Sequence, residues 1–90
     1  MAKRRNRFEI ILDILNLIQR KGGKVKPTHI LYGGNLSYNR LKGYIEELEK
    51  KDMIKEIEFK GKKFYELTEK GISFINETKR IKEITDAFGL

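Results

Sequence analysis

His29-Ile30-Leu31-Tyr32-Gly33-Gly34-Asn35-Leu36-Ser37-Tyr38-Asn39-Arg40-Leu41 is the stretch on which the fold turns. Two glycines and an asparagine separate one apolar segment from the next, and a serine stands where a new helix can begin. Proline suits a first helical turn, so a short helix is predicted from Pro27 to about Tyr32, with Ile30 and Leu31 as its core residues. Gly33-Gly34 ends it. Ser37 is then the N-cap of a further helix reaching about Lys50, because Leu41, Tyr44, Ile45 and Leu48 recur at helical spacing. Its other face is polar: Tyr38, Asn39, Lys42, Gly43, Glu46, Glu47 and Glu49, with Arg40 at the flank.

Upstream, Phe8, Ile11, Leu15 and Ile18 mark a core helix from Asn6 to about Lys21, and Ile10, Ile14 and Leu17 widen its apolar stripe. Asn6 and Glu9 have the spacing of a capping box, and Gly22-Gly23 supplies the stop. Lys24-Val25-Lys26 reads as a short edge strand with Val25 inward. Downstream of Lys51-Asp52 the period becomes near-alternating. Met53, Ile54, Ile57 and Phe59 form one strand and Phe64, Tyr65 and Leu67 its partner, joined by Lys60-Gly61-Lys62 in a hairpin with a cationic tip. Thr68 caps a last helix from Glu69 to about Phe88. Ile72 and Ile75 should cover the domain's own core, while Phe74, Ile81 and Phe88, seven apart, with Ile84, begin a heptad seam.

Ninety residues leave room for one small domain. The expected division is a basic arm over 1–5, a folded domain over 6–67 and a C-terminal helix over 68–90. The formal charge of +7 is uneven: residues 1–26 net +6 and the four residues 60–63 net +3, so these two blocks hold more than the whole excess. Clustered cations of this kind attract polyanions, nucleic acid foremost. With no cysteine there is no disulfide framework, thiolate nucleophile or zinc–thiolate site. No apolar run approaches the roughly 18–20 residues of a membrane span, and a cytoplasmic, nucleoid-associated protein is expected. The lone His29, the scattered Asp13, Asp52 and Asp86 and the absence of a phosphate-binding glycine loop leave no residues to run a reaction. No catalysis, metal, cofactor or small-molecule ligand is expected. Enrichment in Ile, Lys and Glu fits a thermophile's composition.

Helix, short strand, short helix, glycine turn, helix, hairpin: that is the element order of a winged helix-turn-helix, an α+β, mainly α fold with a three-helix core and a β-hairpin wing. The segment His29–Leu41 resembles the ILYxANLSYxxL stretch of small archaeal winged-helix DNA-binding proteins of the 10a type, and Phe64-Tyr65-Glu66-Leu67-Thr68-Glu69-Lys70-Gly71 resembles their Y-x-LTEKG junction. Gly34 replaces the alanine usual before the NLS triplet, and Glu77 and Thr78 interrupt the seam. The resemblance implies a basic homodimer that binds double-stranded DNA and is joined through a C-terminal antiparallel coiled coil.

On that fold Ser37, Tyr38, Asn39, Arg40 and Lys42 lie at the front of a recognition helix, where Arg40 can grip guanine or a phosphate and Asn39 can pair with adenine. Glu46, Glu47 and Glu49 repel phosphate, so only the first two turns should touch DNA. Lys60, Lys62 and Lys63 on the wing suit the phosphate backbone. Arg4, Arg5 and Arg7, with Lys3, suit a neighbouring minor groove, and Thr28 and His29 a phosphate at the second helix's start. Phe74, Ile81, Ile84 and Phe88 are the candidate dimer contacts. Stacking surfaces for single strands are not evident in the hairpin, which places RNA below duplex DNA. A protein-interaction module of the same shape is the competing reading.

Overall fold

The computed structural model describes residues 6–34 and 37–90, the side chains of residues 31–34 excepted. Helix α1 (Arg7–Arg20) is followed by strand β1 (Lys24–Val25), helices α2 (Pro27–Gly34) and α3 (Tyr38–Lys50), strands β2 (Ile54–Phe59) and β3 (Lys62–Leu67), and helix α4 (Glu69–Ala87). The three N-caps are those expected from local sequence. Asn6 Oδ1 accepts from the Glu9 amide at 2.8 Å and Glu9 answers on the Asn6 amide, closing a capping box. Ser37 Oγ accepts from the Arg40 amide at 3.4 Å and Thr68 Oγ1 from the Gly71 amide at 3.1 Å.

The sheet is antiparallel in the order β1-β3-β2. Lys24 pairs with Glu66 and Val25 with Tyr65, and the hairpin runs in register from Ile54–Leu67 to Phe59–Lys62. Its turn is only Lys60-Gly61, with φ of 53° and 75°. Positive φ at both central residues is the type I′ geometry that matches strand twist, and glycine takes its position there without strain. Lys62 and Lys63, expected in a protruding loop, are instead the first residues of β3.

α1 lies at the centre of the core, burying Ile10, Ile14, Leu15, Leu17 and Ile18 against Val25, Ile30, the Leu41–Ile45–Leu48 stripe of α3, Ile54, Leu67 and Ile75. Three expectations need correction. α2 runs through Gly34 rather than stopping near Tyr32; the expected core place of Leu31 and the turn residues Asn35-Leu36 lie outside the described set. Phe8 is 51% exposed, because the α1 stripe is wider than one domain can cover; its ring meets the edge of Phe74 at a ring distance of 6.1 Å. Ile72 is 40% exposed, since α4 turns Gly71 and Ile75 inward instead. α4 is about 28 Å long, and Ile81, Ile84 and Phe88 on its later turns stand exposed. Between α1 and α4 runs an apolar groove of about 450 Å³, lined by Phe8, Leu12, Ile75 and Ile81 among others.

Candidate nucleic-acid interface

Capping fixes the front of α3. Ser37 spends its hydroxyl on the Arg40 amide, so Tyr38, Asn39 and Arg40 begin the helix at a defined orientation, all exposed. Tyr38 is 66% exposed. One turn on, Lys42 and Gly43 continue the same open side. A β-carbon built at Gly43 meets nothing within 4 Å. Alanine there is expected to stabilise the fold by about 1 kcal/mol through helix propensity alone, read as a higher midpoint in a chemical melt.

Side chains alternate across a strand, so the hairpin has two distinct faces. The inner one, with Ile54, Leu67, Val25 and Tyr65, packs on the core and continues outward through Glu56 and Glu58 to Lys63. It forms one wall of a groove of about 330 Å³ whose other walls are α2 and α3. Thr28, Tyr38 and Lys42, each a candidate DNA contact from sequence, line this groove together, and Glu46, Glu49 and Glu56 line it as well. Burial holds the Glu49 carboxyl above the usual glutamate range, and Glu56 and Glu46 push it further. Burial also raises the Tyr65 hydroxyl, with Glu49, Glu56, Tyr38 and Glu46 adding to it. Lys63 Nζ pairs with Glu56 at 3.5 Å, which offsets part of its charge.

The raised Glu49 acid has a definite sign for stability. Its protonated form is favoured by the fold, so this contribution is complete below the ordinary glutamate pKa and is lost as pH rises through the elevated one. Glu49→Gln is therefore expected to melt slightly above the native protein at pH 7, with the gap closing toward about pH 4.5.

The other hairpin face points away from α3. Phe59, Lys62, Ile57, Phe64, Lys55 and Glu66 share it by register. Of the apolar residues of β2, Ile54 faces inward while Ile57 and Phe59 face outward. Phe64 lies outward too, across from Ile57. Lys24 Nζ stands 5.4 Å from the Phe59 ring centre and 5.9 Å from that of Phe64, and Lys60 Nζ is 5.4 Å from Phe59.

The remaining expected site residues are dispersed. His29 is exposed next to Thr28 at the start of α2, where its amide donates to the Lys26 carbonyl at 3.0 Å. Arg7 pairs with Glu47, which places it beside the later turns of α3 and not its front. Arg4 and Arg5 lie outside the described residues. Among the described residues no cluster of His, Cys, Asp or Glu is disposed to hold a metal, and no helix is long and apolar enough to cross a membrane. Sequence reasoning missed Phe59, Phe64 and Lys24 as a surface group; the signal was present in the alternation, since Phe59 and Phe64 fall opposite Ile54 and Leu67 in phase.

A family model described as winged helix-turn-helix matches residues 4–86. None of the curated proteins compared with the chain matches it. Among solved structures, the chain is similar to Sso10a-2, a DNA-binding protein from Sulfolobus solfataricus, at 26% identity and a TM-score of 0.75, over 93% of this chain and 85% of that one. F93 from STIV, a winged-helix DNA-binding protein, shares the fold at 22% identity and a TM-score of 0.69, over 89% and 92% of the two chains. Bordetella bronchiseptica BpsR, whose DNA binding is regulated by 6-hydroxynicotinic acid, shares it at 18% identity and a TM-score of 0.70, over 87% of this chain and 58% of its own.

Proposed function

Since the chain belongs to the winged helix-turn-helix family, we propose that it binds double-stranded DNA as a homodimer, acting as a small transcriptional regulator or an architectural protein of the nucleoid, without catalysis. The observation that carries this reading is the uncovered front of α3: Tyr38, Asn39, Arg40 and Lys42 are all exposed, with no other described element packed over them. A major groove accepts one helix, and these are the residue types that read base edges or grip phosphates. Ser37 adds its backbone at the helix start. The wing supplies Lys60 at its turn, Lys63 toward α3 and Lys62 away from it, to neutralise backbone charge. Thr28 lines the groove with Tyr38 and Lys42 and, with its neighbour His29, can meet a flanking phosphate, while Arg4, Arg5 and Arg7 add to the positive charge that attracts the duplex. Glu46, Glu49 and Glu56 bound the contact on its far side, keeping phosphate to the first two turns. Removing one such repulsion by Glu46→Gln should tighten duplex binding by roughly two- to fivefold, the worth of one exposed charge pair, in an anisotropy titration.

Support for the dimer comes from α4. Ile81, Ile84 and Phe88, spaced three and four apart, line up on one side of the helix, and Phe88 is 77% exposed. Each such side chain gains about 1.5–3 kcal/mol when fully buried. A second α4, packed on this row and on the groove beside Phe8 and Phe74, removes them from water together. Ile81→Glu with Phe88→Glu should give a folded monomer by sedimentation velocity and lower duplex affinity by at least about tenfold, because paired half-sites are no longer engaged at once.

The duplex reading is tested by binding across a salt series. Native protein should give a log–log slope of several units, whereas a flat dependence, or no binding at micromolar protein in low salt, favours a protein-interaction module.

A further inference from the structure

We propose that the outward face of the wing is a second nucleic-acid site, which binds single-stranded DNA by stacking unpaired bases on Phe59 and Phe64. Phe59 is 53% exposed and lies outside the buried core, so packing does not require an aromatic side chain there. Its strand partner is Lys62, and Phe64 sits two pairs further along, on the same face. Two rings on adjacent strands, diagonal to one another, form a stacking surface within the reach of neighbouring bases. Lys24 stands close to both rings and Lys60 close to one. These exposed ammonium groups can exchange a ring for a phosphate once a base takes the ring. On the same face, Glu66 is paired to Lys55 at 3.3 Å, so Lys24, Lys60 and Lys62 present uncompensated positive charge to a sugar–phosphate chain.

In a duplex the base faces are hidden within the stack and reaching them costs an unstacked step, so open rings of this kind favour an unpaired strand. The register places Lys, Ile, Phe and Glu on this face and no hydroxyl or amide side chain, which leaves nothing there to select a ribose 2′-hydroxyl. The assignment to DNA rests on the duplex reading: Lys60 at the turn borders both faces, so a strand parted from a duplex held by α3 passes directly onto Phe59. The aromatic site itself does not depend on that reading.

The test is fluorescence anisotropy of the full chain with a labelled oligothymidylate of about 12 nucleotides, a length within the usual site sizes. Phe59→Ala is expected to weaken single-strand binding roughly tenfold or more and to leave duplex binding within about twofold, with an unchanged thermal melt showing that the variant folds. Lys24→Ala should weaken the single strand alone. Phe59→Trp should restore binding, and because the chain has no tryptophan, its emission reports contact directly by quenching as the oligonucleotide is added. Arg40→Ala with Lys42→Ala should do the reverse, costing duplex affinity while sparing the single strand. The two sites can therefore fail separately. The proposal is overturned if the native protein ignores the oligothymidylate, if Phe59→Ala binds it as well as native, or if an oligouridylate of equal length binds more than about tenfold tighter.

Discussion

Gly71→Ala is expected to destabilise the protein by about 3 kcal/mol, the upper part of the ordinary overpacking range, lowering the melting temperature by roughly 15 °C. Gly71 opens α4 where the wing hands the chain back to the core. A β-carbon there would stand 2.2 Å from the Met53 carbonyl oxygen and 3.3 Å from Leu67 Cδ2. The first obstacle is backbone and cannot rotate aside. It is also engaged: the Thr68 amide and hydroxyl both donate to that same carbonyl, at 3.1 and 3.0 Å. Relieving the clash means moving the Thr68 clamp, the start of β2 and the buried Ile75 together. Helix propensity favours alanine by about 1 kcal/mol and offsets only part of the cost. Gly43→Ala is the internal control, the same change in a helix with open space around it, and it should move the melt the other way. A thermal melt that leaves Gly71→Ala within about 1 kcal/mol of native would show that α4 does not seat this closely.

The triple change Arg40→Ala, Lys42→Ala and Lys60→Ala is expected to lower duplex affinity by roughly 10²–10³-fold at about 0.1 M salt, and to reduce the log–log salt slope by about 3. Each phosphate contact releases close to one condensed counterion, which near 0.1 M is worth almost tenfold in affinity. These three residues are chosen because all are exposed and, among the described residues, no ion pair occupies them. Lys63, held by Glu56 at 3.5 Å, should contribute less when removed alone. Stability should barely change, because none of the three side chains belongs to the core.

Much of this architecture was legible in local chemistry. Asn6, Ser37 and Thr68 each sit three residues before the amide they cap, a relation contained within one turn of chain. The hairpin was legible for the same reason, since Gly61 supplies its left-handed backbone in a two-residue loop. What was hidden depends on partners distant in sequence. Phe8 matched the α1 stripe as well as Leu15 did, and only the position of α4 leaves one exposed and the other covered. Ile72 and Ile75 are both apolar, and the direction from which α4 enters decides between them. At the candidate site, the sequence displayed Lys60, Lys62 and Lys63 as a single cluster. Strand alternation divides it, sending Lys63 toward the α3 groove and Lys62 toward Phe59. Arg7 looked like part of a basic arm, and Glu47, forty residues away, draws it to the other end of α3.

The most direct measurement is a backbone amide NMR titration of the full chain with a duplex of mixed sequence. A duplex seated on the front of α3 and the wing predicts that the largest shifts fall on Tyr38–Lys42 and Lys60–Lys63, while Asp13, Asn16 and Gln19 on α1 stay in place. Shifts gathered on α1 and α4, with the amides of Tyr38–Lys42 unmoved at saturating duplex, would contradict it.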